Sequence, residues 1–174
     1  MSGIWDVIAA EAERESPLWG AALRPRAKRE LEPVFSPLGE ERFALGLETI
    51  YEGYLLHYGR PRLFSPADRD TALLLGDYLY AHGLVRVASF GRVEAVSDLA
   101  ELISLCAQRR AEDADGDGPA WAATAALLGT ESLEDARDAL RLSGDAEPLA
   151  ELARRSAGDG ALTYALASHR ARLG

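Results

Sequence analysis

Residues 40–58 read EERFALGLETIYEGYLLHY, and their apolar members fall at helical spacing. Phe43, Leu47, Ile50, Tyr54 and Tyr58 recur at intervals of three and four, which places them on one face of a helix with about 3.6 residues per turn. Gly59-Arg60-Pro61 ends the stretch. Downstream, Ser65-Pro66 reads as a cap followed by a proline at the first helical position, with Asp68 in the first turn. This predicts a long helix to Gly91 with the stripe Leu74, Tyr78, Ala81, Val85 and Ala88, and a following helix with Val93, Val96, Ala100, Ile103 and Ala107.

Upstream, a helix from Gly3 to Glu15, capped by Ser2, precedes a stretch punctuated by Pro17, Pro25, Pro33 and Pro37. Glycines and like charges in Glu112-Asp113-Ala114-Asp115-Gly116-Asp117-Gly118-Pro119 disfavour a helix. Beyond it, 120–128, 132–142, 147–155 and 161–173 read as short helices joined by glycines. Runs of alternating β-branched residues are nearly absent, so the fold class is all-α. The expected organisation is a helical core over 1–112, an acidic glycine-rich linker over 113–119, and a short-helix subdomain or layer over 120–174.

With 174 residues, 48% hydrophobic and 27% charged, the chain has the composition of a globular domain. No apolar run nears the roughly 18 residues of a membrane span, and the N-terminus lacks the order of a signal peptide, so a cytoplasmic home is expected. A net charge of −9 argues against nucleic acid as partner, because phosphate binding needs clustered Lys and Arg. The single Cys106 excludes an internal disulfide and reads as a core residue.

Asp113-x-Asp115-x-Asp117-Gly118 copies the opening of a calcium loop, but Thr124 stands where the closing bidentate acid belongs, so the segment reads as solvated linker. His57, His82 and His169 have no partner at metal-ligand spacing, and no nucleophile elbow or phosphate loop is present. Glu48 and Glu52, four apart, project on one helix face together with Glu41. Such a pair can hold Mg²⁺ or can simply be the wet side of an amphipathic helix.

Leu73-Leu74-Leu75-Gly76-Asp77-Tyr78-Leu79-Tyr80-Ala81 resembles the "LAGDYLLA" helix of trans-polyprenyl diphosphate synthases. Gly59-Arg60-Pro61 resembles that family's basic element upstream, and Leu99-Ala100-Glu101-Leu102-Ile103 the helix downstream, so about the middle 70 residues are covered in order. The resemblance implies a truncated isoprenoid-synthase-like helical bundle. It places the family's first aspartate-rich motif on Glu48, Thr49 and Glu52, eroded to E-T-x-x-E, with no second motif downstream. Leu23-Arg24-Pro25 is similar to a substrate element whose Gly-Lys pair is missing.

A small non-catalytic subunit of a heteromeric synthase is therefore the first functional expectation, with no resident cofactor and no catalytic residue. The second is a Mg²⁺-dependent enzyme whose diphosphate face is Glu48, Glu52, Arg60 and Asp77. The third is a helical interaction module unrelated to isoprenoids, in which Gly76-Asp77-Tyr78 serves helix packing. Leu55, Leu56, Leu75, Leu79 and Leu84 lie partly off the main stripes and are the expected interface, either with a second copy or with a catalytic polyprenyl synthase subunit.

Overall fold

The computed structural model describes residues 3–173. Its helices are α1 (Ile4–Glu15), α2 (Pro17–Ala21), α3 (Ala44–Tyr58), α4 (Arg69–Ala88), α5 (Val93–Ala111), α6 (Asp117–Leu127), α7 (Glu134–Ser143), α8 (Glu147–Ala157) and α9 (Asp159–Leu173). Three short 3₁₀ turns fill the proline-punctuated stretch between α2 and α3. The all-α class holds, since strand-like pairing among the described residues is confined to a single bridge between Leu23 and Phe64. Among the same residues no helix is long and apolar enough to cross a membrane. The expected Ser2 cap lies outside the described residues.

α3 runs through the middle. From Gly46 to Leu56 every residue is buried, polar ones included, the pattern of a helix covered on all sides. Two apolar clusters meet along it. One joins Phe43, Leu47, Ile50, Tyr51, Tyr54 and Leu55 to side chains of α5 through α9, among them Leu99, Trp121, Leu140, Leu149 and Leu162. The other joins Leu56 to Trp5 and Ile8 of α1 and to Leu75 and Leu79 of α4. Residues 120–173 thus share a core with α3 and form a layer over it.

α3 and α4 pack on glycine. Gly46 and Gly53 of α3 face Gly83 and Gly76 of α4, so close that a Cβ on Gly53 would lie 2.9 Å from the Gly76 carbonyl oxygen. A Cβ on Gly83 would lie 2.4 Å from Ile50 Cγ1. This seam decides which face of α4 turns inward: Ala72, Leu75, Gly76, Leu79, Gly83 and Val87.

The stripe expected from spacing is therefore the outer face, with Leu74 58% and Val85 66% exposed. On α5 the expected stripe is offset rather than reversed: Val96 and Ile103 are half-buried against the core, and Ala100 and Ala107 are exposed. The core side of α5 carries Ala95, Leu99, Leu102, Leu105 and Cys106, while Val93 is 76% exposed. α4 is apolar on two sides, and periodicity alone does not say which side meets α3.

The expected interface leucines are corrected for the same reason. Leu55, Leu56, Leu75 and Leu79 are buried inside this chain, and Leu84 is half-buried against the core. α4 also starts later than Ser65-Pro66. The Ser65 amide donates to the Ala22 carbonyl at 2.7 Å, which engages it in a loop contact, and Asp68 caps the helix instead by accepting from the Thr71 amide at 2.7 Å.

The linker is shorter than 113–119. Asp117, Gly118 and Pro119 belong to the first turn of α6, and Asp117 and Gly118 are buried. The chain reverses at Gly116, whose φ of 119° is in the left-handed region that glycine reaches without a Cβ penalty.

Candidate functional site

The four residues expected to form a diphosphate face are not brought together. Glu48 and Glu52 are fully buried on α3 and converge on Arg62, itself fully buried. Arg62 Nη1 donates to Glu48 Oε2 at 2.6 Å, and its Nε donates to Glu52 Oε2 at 3.0 Å. The remaining carboxylate oxygens take backbone donors. Glu48 Oε1 accepts from the Val34 and Ser36 amides at 3.3 and 3.2 Å, and Glu52 Oε1 from the Arg62 and Leu63 amides at 2.8 and 2.7 Å. The guanidinium also lies 4.5 Å from the Trp5 ring centroid and 4.9 Å from that of Tyr51.

This is a brace. It ties two irregular segments, around Val34 and around Arg62, to the central helix, and the guanidinium occupies the carboxylates that would otherwise face a metal ion. Asp77 is exposed, with an oxygen 3.1 Å from His57 Nε2, and Arg60 is exposed and 4.0 Å from Glu30. The wet-face reading of Glu48 and Glu52 fails as well. Spacing alone could not tell a solvated pair from a buried one, because the deciding partner, Arg62, arrives from a loop. Among the described residues, no group of three or more His, Cys, Asp or Glu is placed to hold a metal ion.

A second polar cluster joins four helices. Tyr51 and Tyr54 of α3 and His169 of α9 pack around Trp121 and Phe35, and Arg110 of α5 and Asp117 of α6 join them through Tyr54. The Tyr54 hydroxyl donates to Asp117 Oδ2, which also receives Arg110 Nε at 2.8 Å and Nη2 at 2.6 Å. Tyr51 Oη and His169 Nδ1 are 2.9 Å apart, and His169 Nε2 stands 3.7 Å from Asp117 Oδ1.

Burial by itself would raise the Asp117 pKa, but His169, Tyr54 and Arg110 outweigh it and hold the carboxyl well below the usual range. Burial, with Asp117 adding to it at Tyr54, pushes both phenols up and keeps them protonated. The sequence treated Asp117 as linker and His169 as an ordinary helix residue. The one local signal was Tyr51 and Tyr54 three apart on a helix that ends in further aromatics.

Asp117 gives a pH dependence whose sign follows from its depressed pKa. The stabilisation is present above the unfolded carboxyl's pKa of about 4 and is lost as pH falls through the lower folded value. Acid titration of stability should show a loss that begins near about pH 4 and continues to lower pH. Asp117→Asn should flatten that loss and cost about 2 kcal/mol at neutral pH, because Arg110 loses its counter-charge. Urea melts of both proteins at several pH values check this.

No protein-family model, curated protein or solved structure matches the chain.

Proposed function

We propose that the chain is a non-catalytic helical subunit, related to polyprenyl diphosphate synthases, that acts through a partner chain. The observation that carries this reading is the state of Glu48 and Glu52. Their spacing is that of the family's first metal-binding motif, yet an internal guanidinium fills the place of the cation. Binding Mg²⁺ and a diphosphate there would require Arg62 to leave its two carboxylates and its seat between Trp5 and Tyr51. The surface offered to a partner is the outer face of α4, where Leu74 and Val85 stand free of the chain's own core.

The test is co-expression with a full-length polyprenyl diphosphate synthase from the same genome. A stable complex with altered turnover or product length is expected, and Val85→Asp should disrupt it without unfolding the chain. The chain alone should transfer no prenyl group with Mg²⁺ and allylic plus homoallylic diphosphates. Turnover by the isolated chain that disappears in Glu48→Gln would overturn the reading, as would failure to bind the synthase.

One observation favours a second reading, a helical interaction module with no isoprenoid link. Gly76, the centre of the Gly76-Asp77-Tyr78 resemblance, has a packing reason of its own in the contact with Gly53. Complex formation with an unrelated chain and none with a synthase would select it.

A further inference from the structure

A cleft of about 530 Å³ opens between the end of α5, the first turn of α6 and the last turns of α9. Its volume lies in the range of small-molecule sites. Three features of its walls point to one ligand chemistry.

The first is the N-terminus of α6. The Ala120 amide closes the first turn onto the Gly116 carbonyl, and the Asp117 and Gly118 amides ahead of it donate to no backbone or side-chain acceptor among the described residues. The helix dipole adds to their pull on an anion. The second is Arg110 and Arg170 on the walls. Arg110 uses Nε and Nη2 on Asp117 and Tyr54, and Nη1 takes no part in those contacts.

The third is His169, only 4% exposed, whose Nε2 has no hydrogen-bond partner. The Asp117 carboxylate, 3.7 Å from Nε2, favours the ring proton on that nitrogen, which leaves Nδ1 to accept from the Tyr51 hydroxyl at 2.9 Å. That N–H lies behind Gly118, where a Cβ would stand 3.7 Å from it. A buried donor left without an acceptor costs about 1–3 kcal/mol, and an incoming oxygen that reached it would relieve that cost.

We propose that this cleft binds the oxyanion head of a small molecule, a phosphate or a carboxylate, on the α6 N-terminus, Arg110, Arg170 and His169. Leu166 and Leu173 offer an apolar wall for the rest of the ligand. Two acids face the cleft. Asp117 pairs its Oδ2 with Arg110 while its Oδ1 stands 3.7 Å from His169 Nε2, and Asp115 is exposed; both charges oppose the ligand, and Arg110, Arg170 and the α6 N-terminus must outweigh them.

The test is NMR of the full chain with labelled histidines, titrated with inorganic phosphate and separately with acetate at constant ionic strength. His169 should shift and saturate below about 10 mM with at least one of the two anions, while His57 and His82 serve as internal controls and stay put. Arg170→Glu should weaken binding at least about tenfold, and Asp115→Asn should tighten it. A shift with phosphate alone marks the site as phosphate-selective, and a shift with acetate alone as carboxylate-selective. An unmoved His169 with both anions, equal shifts at all three histidines, or indifference to Arg170→Glu would overturn the proposal. The outcome is independent of whether the chain has a synthase partner.

Discussion

Arg62→Ala is expected to destabilise the protein by about 3–5 kcal/mol, a fall in Tm of roughly 10 °C, because it strands two buried carboxylates. The usual remedy, replacing an entire buried charge cluster with apolar residues, should not restore stability here. Glu48 and Glu52 also accept four backbone amides, those of Val34, Ser36, Arg62 and Leu63. An apolar replacement would leave those amides buried and unpaired, at about 1–3 kcal/mol each.

Glu48→Gln separates a brace from a metal site. If the pair serves only Arg62, the loss of thermal stability is the same in EDTA and in excess Mg²⁺. If the pair holds Mg²⁺, the wild type gains stability with the ion and the variant does not. Calorimetric melts of both proteins in the two buffers decide between them.

Gly83→Ala and Gly53→Ala are each expected to destabilise by about 1–3 kcal/mol. The direction is the informative part, since glycine to alanine inside a helix ordinarily stabilises by up to about 1 kcal/mol. At Gly83 the new methyl would enter Ile50, and at Gly53 it would press on the backbone of Gly76, which has no rotamer by which to yield. Gly160 in α9 is the control. Nothing lies within 4 Å of its Cβ position, so Gly160→Ala should be neutral or slightly stabilising. If urea melts show all three alanines stabilising alike, α3 and α4 are not in contact along this seam.

The all-α class, and α3 and the helices from α5 onward to within a few residues, were legible in the chain itself. Apolar spacing and glycine and proline breaks are local properties, and helix formation responds to local order. Phe43, Leu47, Ile50 and Tyr54 of the expected α3 stripe lie in the interior, but so does every other residue from Gly46 to Leu56, and Tyr58 is half-buried. Facing was not legible. α4 carries apolar residues around most of its circumference, and the choice between Leu75/Leu79 and Leu74/Val85 is made by the glycine seam that Gly76 and Gly83 form with Gly53 and Gly46 of α3.

The candidate sites divide along the same line. That Glu48 and Glu52 lie on one face follows from the helical repeat and needed no structure. That they are sealed under Arg62 depends on a loop folding back beneath Trp5, a contact that no spacing rule contains. Asp117 and His169 are 52 positions apart in the chain, and they approach because α6 and α9 pack directly against each other. The sequence by itself determined which segments are helical and which residues could share a face. The tertiary structure alone decided which faces are dry and which charges meet, because burial and long-range pairing are properties of surfaces brought together, not of neighbours along the chain.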